Sequence, residues 1–241
     1  MNMRNHALSS RGRSLLTALA VGLAAISLAV VTGAGEGAAS GSKATTSAVS
    51  AVLGGAEPMP EPACPLNCLV IPSVSGIQSV LPSSASPYIV PATGSVTAWK
   101  LFLGKPKAMD RIALNERFGS PPQASISILQ KIRTERGFKF KLQRKSPVVG
   151  LNRYLGNVVT FRLEEPLRAV KGQFVALTVP TWAPAFADGL EMRDYAWRAS
   201  RQPDKCASTD PSSQLLVGSK RFYACKFSGS RLLYTARIKF D

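Results

Sequence analysis

The sequence predicts an all-β protein, an antiparallel β-sandwich of jelly-roll-like kind, set behind an N-terminal signal or anchor helix. Three observations carry that prediction. Short runs of β-branched and aromatic residues alternate with a period of two. Gly, Pro, Ser and Asn interrupt these runs at close intervals. Helical periodicity is missing from every long stretch beyond the N-terminal apolar run.

That N-terminal region comes first. "MNMRNHALSSRGRS" carries Arg4, Arg11 and Arg13 and no acid. "LLTALAVGLAAISLAVV", Leu15 to Val31, is apolar apart from Thr17 and Ser27, and small residues follow in "TGAGEGAAS". A charged start, an apolar core and a small-residue exit make a secretory signal. The apolar run is also long enough for an uncleaved membrane anchor. Small residues at the exit, with no basic stop-transfer cluster beyond, favour cleavage near Ala34 or Ala39. Residues 1–39 therefore read as signal peptide or membrane anchor. Residues 40–62 read as a flexible Ala/Gly/Ser/Pro tether, with too few large side chains to offset chain entropy. The β-sandwich domain is placed over 63–241.

Within it, "GSVTAWKLFLG" is a strand bounded by Gly94 and Gly104. "AMDRIALNERFG" allows one short helix, Asp110 capping it and Gly119 ending it. "ASISILQKIRTERGFKFKLQRK" reads as a hairpin. Ile126, Ile128 and Ile132 share one parity, "TERG" turns the chain, and Phe138, Phe140 and Leu142 share another. In "NVVTFRL", Val159, Phe161 and Leu163 oppose Val158, Thr160 and Arg162. "GQFVALTVP" puts Val175, Leu177 and Val179 on one face. "RLLYTARIKF" sends Leu232, Tyr234, Ala236, Ile238 and Phe240 inward, and Thr235, Arg237 and Lys239 outward.

Two of these stretches, "YIVPATGSVTAWKL" and "VVTFRLEEPLRAVKGQFVALTVP", resemble the landmark strands of a group of uncharacterised secreted actinobacterial β-sandwich proteins. The second landmark is carried here by Pro166, Lys171, Gly172, Val175 and Leu177, with Gln173 where that group usually has an acid. The resemblance covers roughly Pro87 to Phe186. It implies a sandwich and a secreted location, and no activity.

The four cysteines, Cys64, Cys68, Cys206 and Cys225, lie beyond the apolar run. An even number in an exported chain predicts two disulfides. Three pairings exist, and the shortest sequence distances favour Cys64–Cys68 and Cys206–Cys225. The second bridge is worth on the order of 3 kcal/mol in the chain-entropy model. A zinc site is the weaker reading, because the one histidine, His6, precedes the apolar run.

Composition also narrows the chemistry. Without a histidine after His6, a Ser-His-Asp triad and a Cys-His dyad are excluded from the mature chain. Neither "GxSxG" nor a phosphate-binding "GxxxxGK" loop occurs, and the one "SxxK", Ser40 to Lys43, falls in the tether. Glu164 and Glu165 are adjacent, so a regular strand would point them to opposite faces. Asp188, Glu191 and Asp194 lack the alternating oxygen pattern of a calcium loop. The expectation is a non-enzymatic protein with no cofactor and no metal.

What remains is charge and aromatics. Thirty Lys and Arg against 14 Asp and Glu give a net charge of +16, with a pI near 10.2. Such an excess attracts anionic polymers or surfaces. Its densest run is Lys131, Arg133, Arg136, Lys139, Lys141, Arg144 and Lys145, against Glu135 alone. A solvated edge that resists aggregation is the structural reading of those residues; a cationic patch is the functional one. No signature of base-specific nucleic-acid recognition appears. Trp182 and Trp197, in "TVPTWAPAFADGLEMRDYAWRAS", are the candidates for stacking on sugar rings, weighed against simple loop packing.

The function expected is therefore binding of an anionic or carbohydrate cell-envelope polymer by a secreted or envelope-associated protein. A structural or partner-binding envelope protein is the first alternative, and a carboxylate-dependent hydrolase the second. Contact with a membrane is expected only through the N-terminal segment, if it is uncleaved.

Overall fold

The computed structural model describes residues 49–55, 58–135 and 137–241. The expected signal or anchor segment, residues 1–39, lies outside them. The strands of three or more residues are β1 Ser50–Leu53, β2 Ser75–Leu81, β3 Gly94–Phe102, β4 Gln123–Ile132, β5 Lys139–Lys145 and β6 Val158–Ala169. They continue with β7 Phe174–Thr178, β8 Ala196–Ala199, β9 Lys220–Phe222, β10 Cys225–Ser228 and β11 Tyr234–Phe240. One α-helix, α1, spans Ala108–Phe118. The all-β expectation holds.

Every strand pairing is antiparallel, and the strands fall into two main sheets. The smaller has the order β1-β11-β3-β6. The larger runs β9-β5-β4-β7-β2-β8-β10, with Ser84–Ala85 beside β2 and Val149–Gly150 beside β4. Two small pairs complete the ladders, Trp182–Ala183 with Ile71–Pro72 and Phe186–Ala187 with Arg231–Leu232.

One hydrophobic core draws on both sheets. Val96, Trp99, Leu101, Tyr234, Ala236 and Ile238 from the smaller sheet share it with Ile126, Ile128, Val175 and Leu177 from the larger. The alternation expected of "RLLYTARIKF" holds at Tyr234, Ala236 and Ile238, which are buried, and at Arg237 and Lys239, which are exposed; Thr235, expected outward, is buried instead. A second cluster, Ile77, Leu129, Phe140, Leu142, Ala176 and Tyr223, lies on the other face of the larger sheet. The hairpin divides between the two. A register shift between Ile128 and Leu129 moves Leu129 over to pair with Leu142, so Ile126 and Ile128 enter one cluster and Phe140 and Leu142 the other. Strands buried on both faces lose the polar alternation that marks a half-exposed strand.

Three details differ from expectation. The segment 40–62, read as a tether, contains β1, whose residues pair with β11 from Ser50 opposite Lys239 to Leu53 opposite Ala236. Its neighbours are held by Arg231, which donates Nη2 to the Gly54 carbonyl at 2.9 Å and Nη1 to the Pro58 carbonyl at 3.0 Å. Four short residues gave no composition signal, because a remote arginine and a strand end fix them. Asp110 sits in the first turn of α1 after Lys107, accepting the Lys107 N–H at 3.2 Å rather than occupying the cap itself. Gly119 does end the helix, at φ 92°, where a side chain is strained. Finally, β6 leaves its regular ladder between Arg162, opposite Ala98, and Leu167, opposite Val96. Glu164 and Glu165 fall in that break, and both are among the residues lining one cleft of about 430 Å³ with Lys145.

Both disulfides form as the shortest pairing predicts, Cys64–Cys68 and Cys206–Cys225, and no free cysteine remains. With the β-rich fold they fit an oxidising, extracellular setting. Among the described residues no helix is long and apolar enough to cross a membrane.

Candidate anion-binding surface

The two tryptophans are core residues. Trp182 is 0% exposed and donates its indole N–H to Asn115 Oδ1 at 3.0 Å, joining the loop to α1. Trp197 is 5% exposed, stacks on Phe227 with centroids 4.8 Å apart, and donates to Ser230 Oγ at 3.1 Å. A buried indole with its N–H satisfied has no face left for a sugar ring. Of the two readings weighed for "TVPTWAPAFADGLEMRDYAWRAS", packing accounts for both rings and a stacking platform is not formed. The reason is topological: Trp197 lies on β8, an inner strand whose Trp197 face meets the main core.

The next residue along β8 faces the other way. Arg198 lies opposite Ile77 of β2 and Lys226 of β10, on the face that carries the second cluster. Its guanidinium carbon sits 3.9 Å from the centroid of the Phe138 ring. Nη1 donates to the carbonyls of Tyr223 at 3.3 Å and Ala224 at 3.2 Å. Burial draws the Arg198 pKa down from its ordinary value, but a guanidinium starts so high that it stays charged at neutral pH. Lys131 approaches the same Phe138 ring, Nζ 4.5 Å from its centroid. Two cations are thus held by one partly exposed ring, at 36% exposure. Each cation–π contact is worth roughly 0.5–1 kcal/mol at such a site.

Lys131, Arg198, Lys226, Phe138, Phe140 and Phe174 line a cleft of about 230 Å³, together with Ser79 and Ser86. No carboxylate is among its lining residues. Phe140 meets Phe174 and Tyr223 edge-on, with centroids 5.3 and 5.0 Å apart, which fixes the floor.

The expected basic run is split by the sheet. Lys131 joins the cleft. Lys139 and Lys141 point to the opposite face, as the alternation predicts; Lys139 Nζ rests 4.9 Å from the Phe222 centroid, and Lys141 lies directly opposite Lys220. Like charges in facing register are destabilising, and no acid intervenes in that pair. Arg144 reaches the Arg168 carbonyl at 3.4 Å, and Lys145 lines the cleft beside Glu164. Arg133 lines a shallow pocket at the hairpin turn with Glu135. Arg136 lies outside the described residues.

Sequence reasoning passed over four cations: Arg198 and Lys226, which line this cleft, and Lys220 and Arg221, which line a separate cavity. Their local signal is faint: "KRFYACKF" is basic, but its adjacency to the hairpin depends on β9 pairing with β5. Among the described residues one ion pair forms, Arg168 with Asp241 at 2.5 Å, and it is solvent-exposed. Most of the positive charge among the described residues therefore has no carboxylate partner. No group of three or more metal-ligating side chains assembles among the described residues. No known family, curated protein or solved structure matches the chain.

Proposed function

We propose that this is a secreted, envelope-associated binding protein that captures anionic polymer at the Phe138 cleft, beside the second cluster of its larger sheet, without catalysis. One observation carries the reading. Lys131 and Arg198 are fixed on the Phe138 ring, Lys226 stands beside Arg198 across the β8–β10 ladder, and the cleft they share has no acid in its lining. Cations anchored on an aromatic floor lose little further side-chain entropy when an anion arrives. The ring also gives an apolar surface to the uncharged part of a polymer repeat. The surrounding excess of positive charge supplies long-range attraction and counterion release. With both tryptophans buried, recognition through a stacked sugar is not part of this proposal.

The test is retention on immobilised polyphosphate at two salt concentrations, with neutral dextran as control. The wild-type chain is expected to bind polyphosphate at low salt, release as salt rises, and ignore dextran. Arg198→Gln combined with Lys131→Gln is expected to weaken binding about tenfold or more. Equal binding by the double variant would remove the cleft from the account; no retention at low salt would remove the polymer.

A further inference from the structure

Of the side-chain polar atoms that are buried without a hydrogen-bond partner, three converge on one place: Arg201 Nη1, Ser212 Oγ and Ser219 Oγ. All three residues line a single cavity of about 360 Å³, separate from the Phe138 cleft in its lining, with Lys205, Lys220 and Arg221 around them. We propose that this cavity is a binding site for a tetrahedral oxyanion, the phosphate or sulfate group of a small molecule or polymer.

The chemistry of the donors selects the ligand. Arg201 is only 5% exposed, and its guanidinium makes no hydrogen bond, although a buried charge without partners is strongly disfavoured. A guanidinium presents paired N–H groups that match two oxygens of one anion. Two serine hydroxyls add neutral donors, and the three flanking cations add charge. A cation is disfavoured here by the same count.

The serines are also held in place by bonds that leave their hydroxyls free. The Ser212 N–H donates to the Ser73 carbonyl at 2.8 Å, and the Ser212 carbonyl accepts from Ser200 Oγ at 2.7 Å. The Ser219 carbonyl accepts from Gln214 Nε2 at 2.7 Å and from the Leu142 N–H at 3.0 Å. The backbone of Arg201 is tied by the Ala224 N–H at 3.1 Å, one residue from the Cys206–Cys225 bridge. A site preorganised in this way needs no rearrangement to receive its ligand. Asp210 lines the same cavity without forming an ion pair with Arg201. Burial draws the Arg201 pKa down and the Asp210 field partly opposes that; the same carboxylate opposes the incoming anion.

The experiment is thermal unfolding of the whole chain in inorganic phosphate, against sodium chloride at matched ionic strength, with sulfate and polyphosphate as parallel arms. A ligand that binds only the folded chain raises the midpoint in a saturable way. The wild type is expected to show that rise in phosphate or sulfate and not in chloride. Arg201→Met is expected to abolish the rise, and Ser212→Ala with Ser219→Ala to shift half-saturation about tenfold upward; Asp210→Asn should shift it downward. Because the two hydroxyls support no internal bond, the serine variants stay folded even if the arginine variant does not. A larger response to polyphosphate than to inorganic phosphate places the anion on a polymer; equal responses place it on a free anion. No saturable rise in the wild type, or an unchanged rise in the serine variants, overturns the site. Arg198→Gln with Lys131→Gln leaves this response intact, so failure here is distinct from failure of the polymer-binding cleft.

Discussion

Among the described residues two arginines are buried, and their surroundings differ. Arg231 is 0% exposed and gives hydrogen bonds to the carbonyls of Gly54 and Pro58, strapping the segment after β1 to the core. Arg201, on the loop after β8, is 5% exposed and gives none. The first is a structural clamp whose two Nη groups are met by backbone carbonyls, with only Nε left without a partner. The second carries the cost of burial with no hydrogen bond inside the fold and only the field of Asp210 to offset it. The contrast separates charge that builds the molecule from charge left over for a ligand, a distinction that net charge alone does not make.

The two residues break apart most sharply on replacement by methionine. Arg231→Met is expected to destabilise the fold by about 2 kcal/mol, since two charge-assisted hydrogen bonds are lost and two carbonyls are left without their donor. Loss of protection at the Val52 and Leu53 amides by hydrogen exchange would show β1 detaching from β11. Arg201→Met, measured without phosphate or sulfate, is expected to be neutral or stabilising by up to about 1 kcal/mol, because it removes an unpaired buried charge. Equal destabilisation by both would erase the distinction.

The region around Arg231 makes a further prediction. Tyr88 and Tyr234 are stacked 4.2 Å apart, centroid to centroid, and Tyr88 gives its hydroxyl to the Tyr234 carbonyl. Burial raises both phenols, and that of Tyr223 in the second cluster, above the ordinary value. An unfolded tyrosine ionises near pH 10. These groups therefore contribute stability that is complete below about pH 10 and is lost as pH climbs toward the folded values. Phenolate absorbance should rise for these three together with alkaline unfolding. Ionisation of Tyr88 and Tyr234 before the fold opens would contradict their packing.

Much of the architecture was legible in the sequence, and for identifiable reasons. β11 alternates because one face meets the core and the other meets solvent, so Ile238 and Arg237 declare themselves. The disulfides were legible from spacing and parity. β1 was not, since its order comes from β11 and Arg231, both far along the chain. The candidate sites were the least legible part. Trp182 and Trp197 carry the strongest local signal for a ligand platform, yet the sheet turns them inward. Arg198, one residue from Trp197, carries no distinguishing signal and faces the Phe138 ring. Arg201, Ser212 and Ser219 meet only because the loop between β8 and β9 folds back on itself, a non-local event with no sequence period. Among the described residues, Lys131 is the one member of the predicted basic run that reaches the cleft; alternation on β5 sends Lys139 and Lys141 to the other face.

The central claim is that anions bind the Phe138 cleft of the larger sheet through a few fixed cations rather than through diffuse charge. The most direct measurement is the slope of log affinity for polyphosphate against log salt, compared between the wild-type chain and Arg198→Gln. A specific contact is expected to lower the slope by about 1 on its removal and to cost more affinity than removing an exposed cation elsewhere, Lys239→Gln, which lies outside the Phe138 cleft. Identical slopes and affinities for Arg198→Gln and Lys239→Gln would show that only total charge matters, and would contradict the account.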